Sequence, residues 1–194
     1  GHRAARHRRR DDTRGALPTG ARRQRGGRLP RHARRLSGDE GGGRILGEAC
    51  HFVDLARVII GAPILSVQAE AGAVIDGAAD DVTTQLRFAD GSLATIAYTA
   101  LGDTAFPKER IEMFSGGRVA VLEDYRSLSV TEDGKTRTLA SGTQDKGLDA
   151  ALAAFVAAVT GQAPVPMDEN ELIESSVATL AILESLSVGR KIEL

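Results

Sequence analysis

Between residues 64 and 141 the apolar residues recur at every second position in short runs, and no stretch of helical period separates the runs. Val82, Thr84, Leu86 and Phe88 alternate with Thr83, Gln85 and Arg87, the pattern of a half-buried strand. Ala89-Asp90-Gly91-Ser92 follows, and Asp-Gly tolerates the positive φ of a tight hairpin. The same reading gives strands over Ile64–Ala69, Leu93–Thr99, Arg110–Phe114, Val119–Leu122, Ser127–Val130 and Thr136–Leu139, with turns at Gly116-Gly117 and Asp133-Gly134. Strands joined by turns this short must be mainly antiparallel, because a parallel pair needs a long crossover.

Helical spacing brackets this block. Cys50 to Ile60 places Val53, Ala56 and Ile60 on one face with Phe52, Leu55 and Ile59 beside them, and Gly61-Ala62-Pro63 ends the run. After the strands, Leu148, Leu152, Phe155 and Val159 mark a helix over Gly147–Val159. Beyond Pro164 and Pro166, Asp168 is placed to cap a long helix reaching Val188. Leu172, Ile173, Val177, Leu180, Leu183 and Leu186 give that helix an apolar stripe. Strands first and helices afterwards predict an α+β fold, a mainly antiparallel open sheet with helices packed on one face. The opposite face is left for a partner.

Charge divides the 194 residues in two. Residues 1–40 hold 13 Arg, no Lys and four acids, whereas residues 41–194 hold 12 Lys plus Arg against 22 Asp plus Glu. The first segment has no Phe, Tyr, Trp, Val or Ile, so it cannot bury enough apolar surface to offset the entropy of ordering, and disorder is expected. Its Arg, Gly, Ala and Pro are what a GC-rich gene yields when read out of frame or from a misplaced start. A selected nucleic-acid arm would mix Lys with Arg, so nucleic acid is not the expected partner. Residues 41–194 form the ordered domain. One Cys excludes an intramolecular disulfide, and no apolar run spans a bilayer; a cytoplasmic protein with no membrane partner is the expectation.

Candidate chemistry lies where the ordered part begins, at Gly41-Gly42-Gly43-Arg44-Ile45-Leu46-Gly47-Glu48-Ala49-Cys50-His51-Phe52-Val53-Asp54. A glycine run allows close approach of backbone to a ligand, which makes Gly42 and Gly43 candidate substrate contacts. Helical spacing puts Glu48, His51 and Asp54 on one face. His51 is the only histidine outside the arginine-rich segment. Arg44 can grip a phosphate or a sugar-nucleotide diphosphate through forked hydrogen bonds, or simply be solvated or salt-bridged. Lys108, after Pro107 at a strand entrance, is a weaker candidate for a substrate rim. Cys50-His51 invites a zinc reading, but a tetrahedral site needs about four ligands and there is no second Cys; no metal is expected.

These residues resemble the C-terminal domain of the glucose–fructose oxidoreductase/inositol dehydrogenase (Gfo/Idh/MocA) family. The resemblance rests on the triglycine followed by His-x-x-Asp opening a helix, on Phe106-Pro107-Lys108-Glu109-Arg110-Ile111-Glu112, on Gly116-Gly117-Arg118-Val119-Ala120-Val121-Leu122 and on the closing Leu183-Glu184-Ser185-Leu186. It is nearest to a subgroup in which this unit can follow a zinc-alcohol-dehydrogenase-like region in a longer polypeptide. The resemblance implies an NAD- or NADP-dependent oxidoreductase acting on a hydroxyl of a sugar, cyclitol or sugar nucleotide. It also implies a homo-oligomer formed through the sheet face, and that His51 is the proton acceptor. An imidazole suits that role because it titrates near working pH. Family members often carry an Asp four residues before the His; here Gly47 stands there, and Glu48, within one turn of His51, is the substitute catalytic carboxylate. No Gly-x-Gly-x-x-Gly occurs anywhere in the chain, so the dinucleotide-binding Rossmann domain is expected outside it, possibly supplied in trans, and the isolated chain is expected to be inactive. The rival reading is a non-catalytic remnant or protein-association scaffold.

Overall fold

A computed structural model describes residues 43–72 and 81–194. The arginine-rich segment, Gly41 and Gly42 lie outside the described residues. Near the start of the described residues lies a five-residue π-helix, Ile45–Ala49, which runs directly into helix α1, Cys50–Ile60. Gly61, in the left-handed region at φ 72°, stops α1, and only a residue without a Cβ enters that region freely. Strands β1 (Ile64–Ala71), β2 (Val82–Phe88), β3 (Leu93–Tyr98), β4 (Arg110–Ser115), β5 (Arg118–Glu123), β6 (Ser127–Glu132) and β7 (Lys135–Ser141) follow. Helices α2 (Leu148–Val159) and α3 (Glu169–Val188) and a two-residue strand, β8 (Ile192–Glu193), complete the chain.

Among the described residues every strand pairing is antiparallel, as the short turns require. The described strands divide into two four-stranded sheets rather than one, ordered β3-β2-β1-β8 and β4-β5-β6-β7. The break falls between Tyr98 and Arg110, where Thr99 to Glu109 forms no ladder. In β2 the alternation survives intact: Val82, Thr84, Leu86 and Phe88 are buried, while Thr83, Gln85 and Arg87 face out. β1 has an irregularity between Ile64 and Ser66, so Ser66 and Val67 are both buried despite being adjacent.

α1 and α3 pack on one face of the first sheet around Val53, Val67, Leu86, Phe88, Ala178 and Ile182. The face α3 turns inward is made of Ser175, Ala178, Thr179, Ala181, Ile182 and Ser185. Small side chains there let its backbone lie close to β1. Leu172, Ile173, Val177 and Leu180, expected in the core, are instead exposed, because the inward positions are filled by the smaller set. No residue of α2 is fully buried, and no described element packs extensively along it.

Polar stitches hold the layers in register. The Ser185 hydroxyl accepts from the Ala69 amide at 2.9 Å and donates to the Arg190 carbonyl at 2.7 Å, tying α3 to β1 and to the turn before β8. Buried Arg57 donates from Nε to Glu174 Oε2 at 3.0 Å and sits 3.5 Å from Glu171. The other Glu174 oxygen accepts from the Ile64 amide, so one carboxylate links α1, α3 and β1.

Candidate active site at the start of the first helix

Gly43 opens the site at φ 73°, a conformation that a side chain would strain. The wide turn that follows is the π-helix. Such turns are rare and recur at functional sites, because the extra residue per turn re-aims side chains. Here it turns Ile45 and Ala49 into the core and leaves Glu48 exposed. The Cys50 thiol donates to the Leu46 carbonyl at 3.0 Å, so that thiol is engaged in the turn itself. His51 follows on the first turn of α1 and is exposed to solvent. Glu48 and His51 make no hydrogen bond or ion pair with each other among the described residues.

Two contacts anchor this turn. Arg44 donates from NH1 to the Tyr98 hydroxyl at 3.1 Å, joining the start of the π-helix to the end of β3. Asp54, one helical turn beyond His51, accepts from the Ser175 hydroxyl at 2.9 Å and so fixes α1 against α3. Neither partner is visible from sequence spacing, since Tyr98 and Ser175 lie 54 and 121 residues away. The Arg57 pair was signalled by one cue: Arg57 stands four residues after Val53, on the face that an amphipathic helix buries.

Lys108 belongs elsewhere. It lines an open cleft of about 580 Å³ with Thr104, Phe106, Arg126, Gln144 and Lys146, and no residue of the π-helix or α1 contributes to that lining. Next to the cleft, Asp124 and Tyr125 take positive φ values of 49° and 52° in the β5–β6 turn. Burial pushes the Asp124 carboxyl up, but hydrogen bonds from Arg126 and the Lys108 backbone amide, with the Arg126 charge, prevail and hold it below its usual value. Lys146 sits 2.6 Å from Glu109 and 5.4 Å from the centre of the Tyr125 ring. Its hydrogen bond to Glu109 outweighs burial and raises it above the ordinary lysine value.

The described residues do not fit the dinucleotide that the sequence resemblance implies. A pyrophosphate cradle needs a parallel strand–loop–helix unit, and every described strand pair is antiparallel. The N-terminus of α3 is capped by the Asp168 carboxylate, which accepts from the Asn170 amide, and Glu169 and Glu171 follow in its first turn. That end repels a phosphate. Among the described residues no group of three or more His, Cys, Asp or Glu is placed to hold a metal ion, and no helix is long and apolar enough to cross a membrane.

Residues 2–115 match the model of the GFO/IDH/MocA C-terminal domain, a span that takes in the arginine-rich segment and ends with β4. No curated protein matches the chain in sequence. Solved structures share its fold. UDP-N-acetylglucosamine 3-dehydrogenase GnnA from Acidithiobacillus ferrooxidans superposes with a TM-score of 0.66 at 21% identity, over 74% of this chain and 47% of that one. Aldose-aldose oxidoreductase from Caulobacter crescentus, complexed with glycerol, gives 0.67 at 18% identity over 82% and 50%. The WlbA dehydrogenase from Bordetella pertussis, in complex with NADH and UDP-GlcNAcA, gives 0.51 at 21% identity over 78% and 44%. The chain thus spans about half the length of these relatives. With more than half of its residues matched to that family model, the chain belongs to the Gfo/Idh/MocA family, through its C-terminal domain.

Proposed function

We propose that this chain supplies the substrate-binding half of an NAD- or NADP-dependent oxidoreductase that acts on a hydroxyl of a sugar, cyclitol or sugar nucleotide. The observation that carries the reading is the solvent-facing imidazole of His51, set on the first turn of α1 directly after a π-helix. In this reading His51 accepts the proton of the substrate hydroxyl. Glu48 acts through His51 once a ligand orders both side chains, since the two lie within one turn. Gly43 lets the substrate approach the backbone, and Arg44, held by Tyr98, offers a fixed cation to the ligand's oxygens. Asp54 is a positioning residue, because its carboxylate is committed to Ser175. The dinucleotide is held by a domain outside the described residues. The related dehydrogenases support the substrate class: one is a UDP-N-acetylglucosamine 3-dehydrogenase and another is in complex with UDP-GlcNAcA.

The test is an NMR titration of the His51 ring signals in the full chain with UDP-N-acetylglucosamine, glucose and myo-inositol. Saturable perturbation by one of them, weakened at least tenfold in Arg44→Ala, supports the reading. Ring signals unmoved by all three end it.

A further inference from the structure

We infer that Tyr98 is a further substrate-contact residue of the candidate site, donating from its hydroxyl to an oxygen of the ligand; the inference rests on the function proposed above. Tyr98 is the last residue of β3, which lies at the edge of the first sheet. Side chains two residues apart share a face of a strand, so Tyr98 continues the face of Ala94 and Ile96, which pack against the core. α1 touches this strand. Tyr98 is half-buried, and a tyrosine at the end of such a face keeps its polar tip at the rim. The strand end is held on both sides of the ring. Tyr98 pairs with Val82 of β2, and the Ala100 amide donates to the Asp81 carboxylate at 3.1 Å.

The hydroxyl is only half used. It accepts from Arg44 NH1 at 3.1 Å, and a phenol can donate as well as accept. Among the described residues its hydrogen meets no acceptor. Water takes such a hydrogen in the free protein and yields it to a ligand oxygen. A hydroxyl that accepts from a cation is also the stronger donor, because linked hydrogen bonds polarise one another. Its place ties it to the site, since Arg44 is the residue from which the π-helix runs on to His51. Chemistry gives it a task there. Glu48 and Asp54 carboxylates are acceptors only, and His51 takes a proton in the proposed reaction. Orienting the ligand's oxygens therefore falls, among the residues of the site, to the donors Arg44 and Tyr98. A donor already fixed by its strand loses little freedom on binding.

The chain holds two tyrosines, and Tyr125, in the β5–β6 turn beside the separate cleft, is an internal control. NMR of isotope-labelled tyrosine rings in the full chain, titrated separately with UDP-N-acetylglucosamine, glucose and myo-inositol, reads the inference in the wild type. Tyr98 signals are expected to shift with the same midpoint as the His51 ring, while Tyr125 signals stay in place. A response to UDP-N-acetylglucosamine alone puts an oxygen of the nucleotide part on Tyr98; a response to glucose or myo-inositol puts a ring hydroxyl there. Tyr98→Phe, which keeps the ring, is expected to raise the dissociation constant read at His51 about fivefold, the worth of one ordinary hydrogen bond. In Arg44→Ala at saturating ligand the Tyr98 ring should still shift, which separates donation by the phenol from support of the guanidinium. A His51 ring that responds while Tyr98 does not overturns the inference and leaves the proposed function standing. An affinity unchanged in Tyr98→Phe overturns it equally. Silence of both rings ends the proposed function and this inference with it.

Discussion

Arg57 and Glu174 show how one residue pair can hold the layers that carry the candidate site. The guanidinium is buried in α1, and the Glu174 carboxylate divides its oxygens between it and the Ile64 amide. Removing one partner of such a pair strands a buried charge, which costs about 3–5 kcal/mol. Part of the Glu174 side chain is open to water and Glu171 stands near Arg57, so the lower end applies. Glu174→Ala should lose about 3 kcal/mol, a fall of roughly 6–12 °C in melting temperature for a chain this size, read by calorimetry. Ser175→Ala should lose only about 1 kcal/mol, the net worth of an ordinary hydrogen bond. If Asp54 serves α1 in this way, that variant will leave ligand-induced shifts at His51 in place. Residue-scale pairing was the least legible layer of the sequence. His51, Glu48 and Arg44 could be named from spacing and residue type, but Tyr98, Ser175 and Glu174 could not, because contacts across a sheet leave no local trace.

At the scale of elements the sequence spoke most clearly where period and punctuation agreed. α1 ends at the glycine expected to stop it, and α3 begins after Asp168, whose carboxylate accepts from the Asn170 amide at 2.7 Å. Asp168→Ala should therefore cost about 1 kcal/mol, measurable by urea unfolding. The β2–β3 turn carries a pH signature as well. The Ser92 amide and hydroxyl both donate to the Asp90 carboxylate, the amide acting more strongly, and hold it below the ordinary value of 3.8. A carboxylate lowered in the folded state stabilises fully above its unfolded value, and the contribution is lost as pH falls through the folded value. Asp90→Asn should accordingly lower thermal stability at neutral pH and flatten the acid limb below pH 3.8, so that variant and wild type converge as the pH falls. Two elements escaped the sequence reading for physical reasons. A π-helix differs from an α-helix by one residue per turn, too little to shift an apolar pattern five residues long. β8 has only two residues, too few to show alternation. The stripe on α3 misled because apolar size marks burial only when no smaller face is available to pack more closely.

For the whole molecule, antiparallel architecture was legible and its division into two sheets was not: Thr99 to Glu109 reads as one loop among several, and only ladder pairing shows that no strand bridges it. The arginine-rich segment was set apart on composition, whereas the match to the family begins at residue 2. The chain's half-length relative to its solved relatives bears on what it can bind alone. No Gly-x-Gly-x-x-Gly appears in 194 residues, the described strands contain no parallel pair, and α3 meets solvent at its N-terminus with Asp168, Glu169 and Glu171. Each removes one ingredient of pyrophosphate binding: the close backbone approach, the strand-to-helix turn and the positive helix end. NADH fluorescence titrated with the full chain should show no saturation through the millimolar range, while the His51 ring still responds to a sugar-type ligand. Substrate recognition and dinucleotide binding would then be separable between two polypeptide segments. Submillimolar NADH binding by the chain alone would overturn that separation and require a different division of labour within the domain.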